Sequence, residues 1–165
     1  MGETIKVARD HLYSINNVLE GMKGIYSSKL KYAIKRNKDH IKGEIDAITE
    51  GSKTNVKGFE EYEAKRTEKL KVCLEFDSEG KPVIDPLRPN SFKLKEDKVE
   101  EFNSFMNLLN DKHKEDINNR NKEIEEFNIF LKETVEIEVY KISNDLIPED
   151  LDQNSYEVLF PLINE

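Results

Sequence analysis

The chain has 165 residues, 36% of them hydrophobic and 36% charged, with a formal net charge of −8. That length suits one domain and excludes two of comfortable size, and the charge content suits exposed helices with one buried stripe. Eight Phe and six Tyr exclude a simply disordered chain, and a single cysteine, Cys73, excludes an internal disulfide framework.

No stretch approaches the ~18 apolar residues of a membrane span, and the opening MGETIKVARD lacks the apolar core of a signal peptide. The sequence therefore points to a cytoplasmic protein with no membrane partner. Its charge is uneven. Residues 1–43 carry nine Lys/Arg and four Asp/Glu, whereas residues 44–165 carry seventeen and thirty. Such polarity steers partners or neighbouring subunits, or else marks solvated helix faces.

Thr4 to Ala8 alternates apolar and polar residues and reads as a short strand. The spacing of Ile5 and Ala8 also allows one continuous helix from here. Asp10 is the expected N-cap of a helix carrying Leu12, Ile15, Leu19 and Met22, closed by Gly21 and Gly24. A second helix is expected from about Ser27 to Glu50, with Leu30, Ile34, Asn37, Ile41, Ile45 and Ile48 on one narrow face. A third, from about Gly58 to Phe76, carries Phe59, Tyr62, Arg66, Leu70 and Cys73. The two read as an antiparallel hairpin over about 27–76.

Residues 77–90 read as a turn, with Gly80 able to supply positive φ, and a proline-held extended linker through Pro82, Pro86 and Pro89. Residues 91–95 alternate as a strand. Asp97, with Glu100 three residues on, resembles a capping box for the longest periodic run of the chain. That run, 97–133, places Val99, Phe102, Met106, Leu109, His113, Ile117, Arg120, Ile124, Phe127 and Leu131 at spacings of three and four. A straight rod of that length would span on the order of 55 Å. Residues 135–142 give the cleanest alternation, and Lys93 and Lys95 against Glu136 and Glu138 favour pairing this strand with 91–95, with 4–8 as a further partner. That pairing demands a break in the rod, near His113–Asn121, that folds it back; otherwise the two strands are not neighbours. A C-terminal helix at about 154–163 closes the chain.

These elements predict a mainly α, α+β fold in a single domain, residues 1–165. Its antiparallel long helices form a coiled-coil-like bundle with a small two- or three-stranded β-sheet at one end.

Chemistry is sparse. No glycine-rich phosphate loop, Cys-x-x-Cys, HExxH or calcium-loop spacing occurs, so no cofactor and no metal is expected. His11, His40 and His113 fall on three separate helices. Cys73 lies on an apolar face, where it behaves as a small hydrophobe. The Glu pairs at 60/61, 100/101 and 125/126 diverge on their helices by ~100°. Two groups remain as candidate binding residues. Lys31, Lys35, Lys38 and Lys42 share one helical stripe that could track phosphates or meet an acidic helix. His113 and Arg120 occupy an apolar seam, where they either meet carboxylates and fix register or line a polar binding site.

Five segments, IKVARDHLYSINNVL, EYEAKR, FDSEGKPVI, FKLKEDKVEEFN and VEIEVYKI followed by IPED, resemble in their order short proteins of no established activity encoded by phages and prophages of low-GC Gram-positive bacteria. The shared segments mark architecture and not chemistry. The resemblance implies a phage or prophage setting and carries over no catalytic residue. With no recognisable active site, the expectation is a non-enzymatic protein that binds a host or phage protein, as an accessory in phage development or an inhibitor of a host defence factor; the long amphipathic helix also allows a homo-oligomer. A nucleic-acid-binding module using the basic stripe is the alternative reading.

Overall fold

The computed structural model describes residues 2–164 and is a mixed α/β fold, several helices with small open sheets. The chain divides into two compact units, one formed by Met1–Lys53 with Ile124–Glu165 and the other by Thr54–Glu123. The second unit is therefore inserted between two halves of the first. Sequence periodicity, read above as one domain, gives no sign of this, because helix α5 (Lys114–Lys132) carries the chain across the second boundary unbroken.

The first unit opens with strand β1 (Gly2–Ala8), which runs directly into α1 (Arg9–Gly21) and is followed by α2 (Ser28–Gly51). Residues 4–8 are thus strand and not an extension of the helix. Asp10 is not the cap, because the helix starts one residue earlier. Its carboxylate instead accepts the His11 N–H at 2.7 Å and pairs with Lys132. α1 and α2 run antiparallel, as Arg9–Glu44 and Glu20–Lys38 ion pairs show. Leu12, Ile15 and Leu19 of α1 and Leu30, Ala33, Ile34 and Ile41 of α2 are buried together, the outcome of their three- and four-residue spacing.

The returning half of this unit supplies β4 (Thr134–Tyr140), antiparallel to β1 from Gly2↔Tyr140 to Ala8↔Thr134. The expected partnership of this strand with 91–95 is not formed. Lys6, not Lys93 or Lys95, lies opposite Glu136. After β4 come β5 (Ile142–Ser143), α6 (Gln153–Leu159) and β6 (Ile163–Asn164), the two short strands pairing in parallel. The C-terminal helix ends earlier than expected, because Pro161 breaks it into a tight turn over Phe160–Leu162. Asp152 caps α6 by accepting the Ser155 N–H.

Asn37, the one polar residue on the narrow face of α2, is fully buried. Its amide donates to the Tyr140 carbonyl at 2.8 Å and accepts the Tyr140 N–H at 2.7 Å. It thereby behaves as a strand neighbour along the outer edge of β4. His40, one turn on, bonds the Glu138 carbonyl at 2.9 Å. Arg9 ties helix to ribbon: it bonds Glu44 at 3.0 Å and Glu133 at 2.6 Å and stacks 4.0 Å from the Phe130 ring. Those carboxylates, Glu44 first, raise its already high pKa.

The second unit is a helical hairpin of α3 (Lys57–Cys73) and α4 (Val99–Lys112). Contacts Tyr62–Asn110 and Lys69–Glu101 show the two to be antiparallel. The antiparallel partner of α3 is therefore α4, and that of α2 is α1. The expected 27–76 hairpin of the second and third helices takes one helix from each unit, whereas these two pairs lie within the units.

Between α3 and α4 the expected linker is an ordered β motif. β2 (Ile84–Asp85) pairs with β3 (Arg88–Phe92), and single bridges join Leu74 to Leu94 and Phe76 to Pro82. The backbones of Glu75, Val83 and Lys93 close a hydrogen-bonded triangle at 2.8–3.0 Å. Gly80 has φ +77°, as its turn position demands, and Asp77 accepts from the N–H groups of Glu79 and Lys81. The capping box at Asp97 is absent, since a 3-10 turn over Glu96–Lys98 leads into α4 without a side-chain cap.

The periodic run 97–133 does break, at His113. The break is a kink and not a reversal, because His113 still donates its N–H to Leu109 and accepts from Ile117.

Candidate interaction surfaces

Lys31, Lys35, Lys38 and Lys42 do share the solvent side of α2, yet three of them are matched by carboxylates. Lys35 pairs with Asp39 at 3.2 Å, Lys38 with Glu20 at 2.7 Å, and Lys42 with Asp46. The first three lysines of the stripe line a surface cleft of about 320 Å³, together with Lys23, Met22 and Tyr26. Asp39 also lines it, so the cleft is basic but not purely so.

His113 and Arg120 lie in the second unit and do not form one site. His113 is 4% exposed; its Nδ1 is 3.0 Å from Asp116, and the Tyr62 ring packs edge-on at 6.0 Å. Asp116 reaches this position because Gly58 is small: a Cβ there would lie 2.1 Å from the carboxylate. The Nε2 of His113 has no hydrogen-bond partner among the described residues. Arg120 bonds Glu123 at 3.0 Å and lies over the Phe59 ring. Glu123 in turn accepts the Asn55 N–H and the Thr54 hydroxyl, each at 2.9 Å, and the Asn55 bond, with Arg120, holds its pKa below the ordinary carboxylate value. The carboxylates that meet these seam residues thus both lie on α5, three residues further along the chain. Each of the two touches a ring of α3, His113 at Tyr62 and Arg120 at Phe59.

A different surface went unmarked by sequence patterning. The second unit buries few side chains: Cys73, Leu74, Leu109 and His113. In its β motif, Ile84 and Phe92 stand directly opposite each other and are both more than half exposed, and Leu87 at the hairpin tip is 90% exposed. Asp85 orders that tip by accepting the Leu87 N–H at 2.9 Å and the Arg88 Nε at 3.1 Å. The Leu87 bond is the larger cause of its lowered pKa. The signal available in the sequence was three large apolar residues within nine positions of a proline-rich stretch.

Among the described residues no group of three or more His, Cys, Asp or Glu side chains is placed to hold a metal, and no helix is long and apolar enough to cross a membrane. Comparison with known protein families, with curated proteins and with solved structures finds no match.

Proposed function

We propose that the protein acts by binding another protein, without catalysis, through the hairpin that carries Ile84, Leu87 and Phe92. The observation behind this reading is an apolar tip held in water by an ordered turn. Isolated exposed leucines are ordinary, but opposed Ile and Phe beside a fixed Leu make a compact anchor. A tip that is already ordered loses little freedom on binding. The acidic balance of residues 44–165 suits a partner with a basic surface.

The setting rests on the resemblance of the sequence to phage and prophage proteins. The protein is then an accessory in phage development or an inhibitor of a host defence factor, acting in the host cytoplasm. The coiled-coil-like character of the helix pairs belongs to the same proposal and rests on their apolar spacing.

Parallel affinity purification from Gram-positive host cells tests the reading with wild type and an Ile84→Asp, Leu87→Asp double variant. A stoichiometric partner held by wild type and lost from an equally stable variant is the expected result. A partner held equally by both would reject the hairpin. The second reading, nucleic-acid binding, draws on the cleft lined by Lys23, Lys31, Lys35 and Lys38. Mobility shift at low salt decides it: retention that fades as salt rises would favour nucleic acid.

A further inference from the structure

The β1–β4 ribbon has two outer edges, and only one is covered. The direction of the backbone groups follows from two contacts. Tyr140 gives both its N–H and its C=O to Asn37, away from β1. Arg9, continuing the register beyond Ala8↔Thr134, donates to the Glu133 carbonyl. In an antiparallel pair, directly opposed residues share one state, either bonding each other or both facing outward. Glu3, Ile5 and Val7 therefore bond β4, while Gly2, Thr4 and Lys6 direct their N–H and C=O groups outward.

The outer edge of β4 is occupied by Asn37 and His40 of α2. For the outward groups of Gly2, Thr4 and Lys6 no backbone or side-chain partner exists among the described residues. Gly2, Thr4 and Lys6 are exposed. β1 has neither proline nor bulge, and the charges on this edge strand are Glu3 and Lys6, one of each sign.

We propose that β1 is the self-association edge of the protein. It pairs antiparallel with β1 of a second copy about a two-fold axis through Ile5, turning two ribbons into one four-stranded sheet.

The strand is suited to itself in this register. The axis at Ile5, the middle of Gly2–Ala8, pairs the whole strand: Gly2 with Ala8 of the other copy, Glu3 with Val7, Thr4 with Lys6, and Ile5 with Ile5. Thr4 and Lys6 of opposite copies then exchange their free N–H and C=O groups. No like charges face each other. Shifting the register by two residues in one sense opposes Lys6 to Lys6, and by four in the other opposes Glu3 to Glu3; both are unfavourable. A two-residue shift that avoids these clashes centres on Thr4 and pairs only Gly2–Lys6 within the strand Gly2–Ala8. On the outer face Lys6 sits between Glu136 of its own β4 and Thr4 of the neighbour. On the inner face the half-buried Ile5 side chains meet at the axis. A two-stranded ribbon is marginal alone, and four strands give each β1 two neighbours.

Sedimentation equilibrium of the full chain, with two kinds of variant, tests the proposal. Wild type is expected to dimerise. Thr4→Pro deletes an outward donor and leaves the β1–β4 ladder intact, so it should weaken the dimer by about tenfold or more with an unchanged helical circular dichroism spectrum. If that variant misfolds, an Ile5→Cys, Cys73→Ser chain carries the test. The two Ile5 positions form a non-hydrogen-bonded pair with Cα atoms roughly 4.5 Å apart, within disulfide reach. Mild oxidation should link the copies at position 5 and much more slowly in a Thr4→Cys, Cys73→Ser chain. A monomer at millimolar concentration, a dimer indifferent to Thr4→Pro, or faster linkage at position 4 would each overturn the proposal.

Discussion

Replacing Asn37 by leucine keeps the branched heavy-atom skeleton but puts two bulkier methyl groups in place of the amide and strands two backbone groups of Tyr140. The penalty for an unpaired buried group is about 1–3 kcal/mol, so Asn37→Leu should cost roughly 2–5 kcal/mol of stability in urea unfolding. A neutral Asn37→Leu would mean that α2 does not hold the β4 edge. Glu101 offers a second single-residue test. Hydrogen bonds from Lys69, and then Lys98, lower its pKa from 4.5 to about 2. A folded-state pKa below the unfolded value stabilises the fold above about pH 4.5, and that stabilisation fades as pH falls toward 2. Acid unfolding of Glu101→Gln should accordingly show a shallower pH dependence over that window than wild type. Identical slopes would remove Glu101 from the acid response. The pair is solvent-exposed, so the effect belongs to its pH slope and not to a large loss of stability.

At the scale of elements, the hairpin tip depends on Asp85. Asp85→Ala removes the acceptor that holds Leu87 and Arg88, and amide exchange at Leu87 should accelerate about tenfold while α3 and α4 keep their protection. Equal protection in wild type and variant would show that the tip is ordered by β pairing alone. This element also shows where sequence patterning stops. Helices α1 and α2 were legible because Leu12, Ile15, Leu19, Leu30, Ile34 and Ile41 repeat at three and four, a local signal. The strand 134–140 was legible for the same reason, at period two. Its partner was not. The alternation of 91–95 and of 4–8 is equally compatible with it, and charge favoured Lys93 and Lys95 over Lys6. What decided the matter is the local use of 88–94 against 74 and 84, a non-local competition that no single window contains. The caps at Asp10 and Asp97 failed differently. Both residues were in the first turn, but the helices began where backbone geometry placed them. The His113–Asp116 and Arg120–Glu123 pairs were within reach of an i, i+3 reading, and the kink at His113 lay at the start of the stretch in which a break was sought.

At the scale of the whole molecule, β1 and β4 come from opposite sides of an inserted segment. Bringing them together closes a long loop, which slows the appearance of the ribbon relative to the helix pairs. Stopped-flow refolding should show helical ellipticity recovering before tyrosine signals from Tyr140 settle; simultaneous recovery would argue for a single concerted step. The same discontinuity gives the protein an unusual tolerance. A cut in the exposed turn, at Glu79–Gly80, would leave one fragment with β1, α1, α2 and α3 and another with α4, α5, β4 and α6. Their hold on each other runs through the β1–β4 ladder, the Asn37 clasp and the Arg9 ion pairs, none of which includes the severed bond. The two pieces, residues 1–79 and 80–165, should elute as one particle when produced together as separate chains and come apart only in denaturant. Covalent continuity in the middle of this chain is then dispensable once folding is complete, and the protein could be made from two separately expressed halves.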